Sequence, residues 1–344
     1  MQTTTGPKGL PKPGPLWWAV KHGNPEVVRL LMRCREIKPN THDLCMETPL
    51  YLAAEQGNVA IVRLLLAHPK IDPNFPAIGN KTPLLAAAKA GHVEVIRVLM
   101  ERADIKPNIR SMDGRAPLYY SAELGHDNVV KDFLKSEGVE PDALDYHGQR
   151  PLMVAAINGC VKVVEQLLER NDVDPNSQNL KGETALYQAA SSGHAGVVRL
   201  LLGHTAIDPN KADPDGYTPL LRATLMGKVD AVVCLLEHRD VDPNRGDSWS
   251  RRALHLAAYK GHAAMVQVLL ERDDVYPNAR DCNAQTPLAL AARRGYIDIV
   301  QLLLGYPNIN PNVADFQGTT PLMWATRNKH EEVVRVLASQ NVED

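Results

Sequence analysis

Twelve histidines and five cysteines are the side chains of this 344-residue chain best suited to metal binding or nucleophilic catalysis, and their spacing serves neither. His92, His126, His194 and His262 each follow a glycine that ends a short apolar helical segment. His68, His204 and His238 close a second kind of segment, where an imidazole can meet the last carbonyls of a helix. Of His22, His42, His147, His255 and His330, only His147, beside Gly148 in a turn, is placed to meet a ligand. Cys34, Cys45, Cys160, Cys234 and Cys282 form no CxxC pair and are odd in number, the pattern of free thiols in a reducing compartment. No phosphate-binding glycine loop, HExxH helix or nucleophile elbow occurs. No catalytic residue, metal ligand or cofactor is therefore assigned. Arg245-Gly246-Asp247 and Asn80-Lys81-Thr82 spell an adhesion motif and a glycosylation sequon, but both fall inside a regular pattern without an export signal and are read as chance.

That pattern is the dominant feature of the chain. A Pro-Leu or Ala-Leu pair recurs every 34 residues, from Pro15-Leu16 through Pro83-Leu84 and Ala185-Leu186 to Pro321-Leu322, giving ten units. A second marker keeps the same step, from Pro39-Asn40 to Pro311-Asn312, with Pro141-Asp142 as its one departure. A fixed period of this size means stacked supersecondary units, each too small to bury its own apolar face. Basic and acidic side chains nearly balance, 38 against 40, so the composition points to no nucleic-acid or membrane-surface role. No apolar run reaches the length of a membrane span.

Within one unit, Thr82 precedes Pro83 and is expected to cap a helix that Pro83 opens and Gly91 closes. Val93 to Met100 carries apolar residues at helical spacing and forms a second helix. Met112-Asp113-Gly114 has the composition of a tight hairpin finger. Two short helices and a finger make the unit. Pro15-Leu16-Trp17-Trp18 should start the first unit without a finger, and the polar last helix, from Glu331 to Leu337, should cap the stack.

Segments such as GNKTPLLAAAKAGHVEVIRVLM and GETALYQAASSGHAGVVRLLL, with Thr-Pro-Leu, Ala-Ala and Gly-His in order, resemble ankyrin repeats. The period is one residue longer than the usual 33, a variant resembling ankyrin arrays of filamentous fungi. The resemblance implies an all-α solenoid of ten stacked helix-turn-helix repeats with hairpin fingers, curved into a superhelix. Residues 1–13 would be a polar tail and residues 14–344 one repeat domain whose first and last repeats act as caps. It also implies that His92, His126, His194, His262 and His255 are structural. Asn58, Cys160, Lys228 and Tyr296 replace the histidine after glycine. Ser250 and Ala284 replace the finger glycine, which puts the shape of those two turns in question.

Ankyrin arrays generally bind protein partners through the concave face and fingers. At about 100° per residue, a helical wheel turns two positions of each first helix toward that face, giving pairs such as Val154/Ile157, Gln188/Ser191, Arg222/Leu225 and Leu256/Tyr259. The row is apolar in repeats four to eight and basic in repeats nine and ten, as expected of an interaction surface. The candidate binding residues are Tyr120, Glu123, Leu124, Ile157, Asn158, Gln188, Arg222, Leu225, Met226, Trp249, Arg252, Tyr259, Lys260 and Arg293. The expected function is a non-enzymatic protein-interaction scaffold, monomeric, in the cytoplasm or alternatively the nucleus, with a protein partner and neither nucleic acid nor membrane. The alternative is an amphipathic small-molecule binder, or an unusual enzyme of secondary metabolism, using the apolar groove.

Overall fold

Thr48, Thr82, Thr184, Thr218, Thr286 and Thr320 each end an extended segment and accept, through the side-chain oxygen, the N–H three residues on. In five of these six, proline follows at the first helical position, where its missing N–H costs nothing. These signals start the first helix of a repeat. In the third repeat it spans Pro83–Ala90 and stops at Gly91, whose φ of 77° only glycine adopts freely. The second helix spans Val93–Met100, as the sequence pattern predicts.

The computed structural model describes residues 13–340. The expected polar tail therefore lies outside the described residues except for Pro13, as do residues 341–344. The described residues form twenty helices, two per repeat, and no strand; Ala77 and Lys81 make an isolated antiparallel bridge. The chain divides into two compact units, Met1–Asp174 and Pro175–Asp344. In each, first helices pack in a row against first helices and second helices against second helices, with Leu, Val, Ile and Ala between them. This is the all-α stacked-repeat class that the period implies.

The recurring Pro-Asn marker has a physical reason. Asn74 Nδ2 donates to the Asp104 carbonyl (2.7 Å) while its Oδ1 accepts the Lys106 N–H (2.8 Å). Asn40 and Asn108 do the same in the first unit. Asn176, Asn210, Asn244 and Asn278 do so in the second. Each asparagine thus supplies the donor and acceptor that hold the next repeat in register. At Asp142 the carboxylate lacks the donor. It pairs instead with Arg150 (2.7 Å), and burial, relieved by Arg150 but reinforced by the charges of Asp174 and Asp172, pushes its pKa up to about 6.

The fingers are turns tied at the base by a polar side chain. Asp247 Oδ1 accepts the N–H groups of Trp249 (3.0 Å) and Arg251 (2.9 Å), and Asp145, Asn179, Asp213, Asp281 and Asp315 repeat that arrangement. Neighbouring fingers are joined by single backbone bonds, such as Met112 N–H to Gly79 C=O and Cys282 N–H to Trp249 C=O, both 2.9 Å. The question over Ser250 and Ala284 is resolved: their φ values of 58° and 63° match the 78° of Gly114, so the turn keeps its shape. The carboxylate clamp and the neighbouring finger impose the left-handed backbone on residues that ordinarily avoid it.

Candidate functional site

The surface available to a partner is narrower than a helical wheel predicts. Tyr120 is only 7% exposed, Gln188 5% and Leu256 0%, and Val154 is equally buried. A wheel treats a helix as if one neighbour covered it. Here each first helix is covered by its own second helix and, on its flanks, by the first helices beside it. In repeats two to six, eight and nine the earlier member of the wheel pair falls on a covered flank and exposure is left to the last turn, whereas Arg222 and Trp324 are half-buried and Trp18 exposed. Tyr120 and Gln188 thus contribute as buried neighbours of that surface.

In the Met1–Asp174 unit, Tyr120 shares a hydrogen bond with Ser111 (3.2 Å), and its ring lies under Lys89 and Arg115. Glu123 accepts from Arg115 (3.4 Å), which also reaches Asp145, while the Tyr119 hydroxyl donates to Asp145 (3.1 Å). Burial and the Asp145 charge push the Tyr119 phenol well above its ordinary range, although Arg115 opposes them. Asn158 Nδ2 donates to the carbonyls of Glu123 (3.1 Å) and Val154 (3.0 Å), tying two first helices together. Leu124 is exposed and Ile157 half-buried.

In the Pro175–Asp344 unit, Gln188 Nε2 donates to Glu183 (3.2 Å), and the Tyr187 hydroxyl donates to Asp213 (2.9 Å). Arg222 lies beside them, 6.0 Å from the Tyr187 ring centroid, with its buried Nε unpartnered. Leu225 is half-buried and Met226 exposed. Trp249 is 45% exposed, with the Arg251 guanidinium 4.8 Å above its ring. Arg252 Nε donates to the Asn244 carbonyl (2.8 Å), so this candidate braces its own finger. Tyr259 is 36% exposed and stacks with Arg294 at 4.2 Å; Arg293 stacks with Trp324 at 4.5 Å; Lys260 is exposed. His255 is buried, accepts the Arg252 N–H and meets the Gln285 carbonyl, and burial lowers its pKa to about 4, so it is a neutral structural imidazole.

Sequence reasoning puts Trp324, with Arg327, on the groove-facing row without making it a candidate and misses Phe316 and Asp315; these three with Gln285 and Arg293 line a cavity of about 250 Å³. Burial would raise the Asp315 carboxyl, but N–H donors from Thr319 and Gln317, the Trp324 indole and Gln285 outweigh it and hold it below the usual range. The missed signal was the Trp at the flank position of a first helix, paired with an Asp nine residues before it. A larger depression of about 620 Å³, lined by Gln267, Gln301 and Tyr306 among others, lies between second helices, away from these residues. Among the described residues no three His, Cys, Asp or Glu side chains converge as metal ligands, and no helix is long and apolar enough to cross a membrane.

The comparisons with known proteins agree with this architecture. The family of ankyrin repeats (3 copies) matches at residues 16–111, 104–179, 152–247, 227–315 and 254–344. The crystal structure of the ankyrin repeat domain of Bcl-3, described as a unique member of the IkappaB protein family, is similar with 25% identity and a TM-score of 0.58. The match covers 65% of this chain and 98% of that one. No curated protein matches the chain. On the repeat fold and a family match running from residue 16 to residue 344, the chain belongs to the ankyrin-repeat family.

Proposed function

We propose that the protein is a non-enzymatic interaction scaffold that holds a protein partner against the last turns of its first helices and the adjoining fingers. The observation that carries this reading is the exposure of Met226, Trp249 and Tyr259, large apolar side chains at solvent-facing positions, the two aromatics stacked with Arg251 and Arg294. Aromatic and arginine side chains of this kind supply most of the energy in protein interfaces. The likeness to the Bcl-3 ankyrin domain supports a binding role. Residues 14–344 act as one domain in this reading. Five free thiols suit a reducing compartment, so the scaffold is placed in the cytoplasm, with the nucleus as the alternative.

The test is capture of partners on the full chain, followed by cross-linking and mutation. Arg222→Ala and Tyr259→Ala are each expected to weaken the captured complex at least tenfold, about 1.4 kcal/mol. Gln267→Ala, on a second helix, should leave it unchanged. Loss of binding in Gln267→Ala with normal binding in the other two would overturn the reading.

A further inference from the structure

The cations of repeats seven to ten have an unusual setting. Arg222, Lys260, Arg293, Arg294 and Arg327 lie on the first helices Pro219–Leu225, Ala253–Lys260, Pro287–Arg294 and Pro321–Arg327, none of which contains an acidic residue. Among the described residues none of the five has an ion-pair partner, whereas Arg199, Arg251, Arg272 and Arg335 in the same unit all do. The fingers of repeats eight to ten offer only Asp247, Asp281 and Asp315, all buried, each with one oxygen already holding two backbone N–H groups, and the finger of repeat seven adds Asp213, held in the same way, and a single exposed carboxylate, Asp215. The surface is therefore positive on a chain whose net charge is -2.

Two arginines of this region lie over rings without a carboxylate partner: Arg294 on Tyr259 and Arg293 on Trp324. A ring holds a guanidinium in place without neutralising it, and leaves its N–H edges free for a planar two-oxygen partner. The same stacking covers ring faces that nucleic-acid bases would need, which disfavours a single-stranded nucleic acid. Arg222 likewise has no carboxylate partner, and its buried Nε finds no acceptor within the fold.

We propose that the first-helix surface of repeats seven to ten is a receptor for an extended acidic segment of a partner protein, whose carboxylates pair with Arg222, Lys260, Arg293 and Arg327. Packed helices lie roughly 8–10 Å apart, and a chain in the polyproline II conformation advances about 3.1 Å per residue with every third side chain on one face. An acidic residue at every third position therefore meets one cation per repeat. The apolar residues between them lie on Met226, Tyr259 and Trp324. The inference rests on the scaffold reading and adds the chemistry of the occupant.

The experiment measures, by fluorescence anisotropy on the full chain, the binding of four labelled probes. These are a 12-residue peptide with Glu at every third position among Leu and Ser, the same composition with its Glu residues contiguous, the Gln version of the first, and a 12-nucleotide single-stranded DNA. The spaced acidic peptide is expected to bind at least tenfold tighter than the Gln version and at least threefold tighter than the contiguous one, and to weaken with salt. Arg293→Glu with Arg327→Glu should abolish its preference. Arg293→Lys with Arg327→Lys should retain most of it, and circular dichroism checks that both variants fold. Equal binding of the Glu and Gln peptides, equal binding of the two Glu peptides, tighter binding of DNA, or an unchanged preference in the folded Glu variant would each overturn the proposal. The two readings fail differently. A natural partner cross-linked to residues 219–327 through a non-acidic segment defeats the acidic occupant alone. One cross-linked only to second helices defeats the scaffold reading.

Discussion

The last turns of the first helices present different chemistry in the two units. In Met1–Asp174 these positions carry Lys21, Glu55, Lys89 and Glu123, two bases against two acids. In Pro175–Asp344 the equivalent positions carry Ser191, Leu225, Tyr259, Arg293 and Arg327, the next position along adds Lys260 and Arg294, and neither row holds an acid. The side chains in this slot differ in use as well. Glu123 in the first unit is spent on Arg115, while Arg293 and its neighbour Arg294 in the second lie on aromatic rings. A carboxylate partner consumes the charge internally and turns it into structure. An aromatic partner orients the charge and leaves it for a ligand. The same backbone slot, repeated every 34 residues, can thus brace the fold in one place and present a binding group in another.

The comparison breaks most directly at Asp145. Its fully buried carboxylate holds the finger and receives Tyr119 and Arg115, so Asp145→Ala leaves a buried phenol and two finger N–H groups without an acceptor and half-buried Arg115 with Glu123 alone. A loss of about 3 kcal/mol in urea unfolding is expected. A loss under 1 kcal/mol would mean that the charge in the first unit is not structural.

Asp142 sharpens the contrast in pH. Every asparagine of the second unit that precedes another repeat donates to it, and only Asp142 in the first unit cannot. Its pKa is raised from 3.8 to about 6 by burial, against Arg150 and with Asp174 and Asp172. The raised group contributes stability that is fully present below pH 4 and lost as pH rises through 6. Wild type should therefore gain about 1 kcal/mol on Asp142→Asn between pH 7 and pH 5, after allowing for solvent screening. Thermal melts of the two proteins at both pH values check this, and parallel shifts would refute it.

Ser250 is an exposed residue held at φ 58° where other fingers have glycine. Ser250→Gly should stabilise the second unit by up to about 1 kcal/mol, read as a raised urea midpoint. The smallest effect is expected at Arg293. Arg293→Gln removes an exposed cation–ring contact worth about 0.5 kcal/mol, with no buried carboxylate orphaned. A destabilisation near that of Asp145→Ala would show that the Arg293 charge, like the Arg251–Asp247 pair, is spent on the fold.

Most of the fold was legible in the sequence because its determinants are local or periodic. The period set the repeat count, and the Thr-Pro starts set the helix beginnings. Asn24 caps the helix Pro25–Met32 as its position suggests, and Val59–Leu66 begins after Asn58, which caps in place of the usual histidine. The candidate site was only partly legible. Trp249, Tyr259 and Met226 emerge exposed, but Tyr120 and Gln188 are covered and Asn158 and Arg252 brace the backbone.

By itself the sequence determined the stacked-repeat class, the helix boundaries, the caps and the basic row on the first helices of repeats nine and ten. These follow from residue type at fixed spacing, where each interaction closes within a turn or one repeat. Only the tertiary structure decided which flank of each first helix is covered, how Ser250 and Ala284 hold a glycine turn, and which ring lies under which arginine. Those depend on what the next repeat brings alongside. Arg294 meets Tyr259 and Arg293 meets Trp324 across neighbouring helices, and a helical wheel drawn for one helix contains neither neighbour.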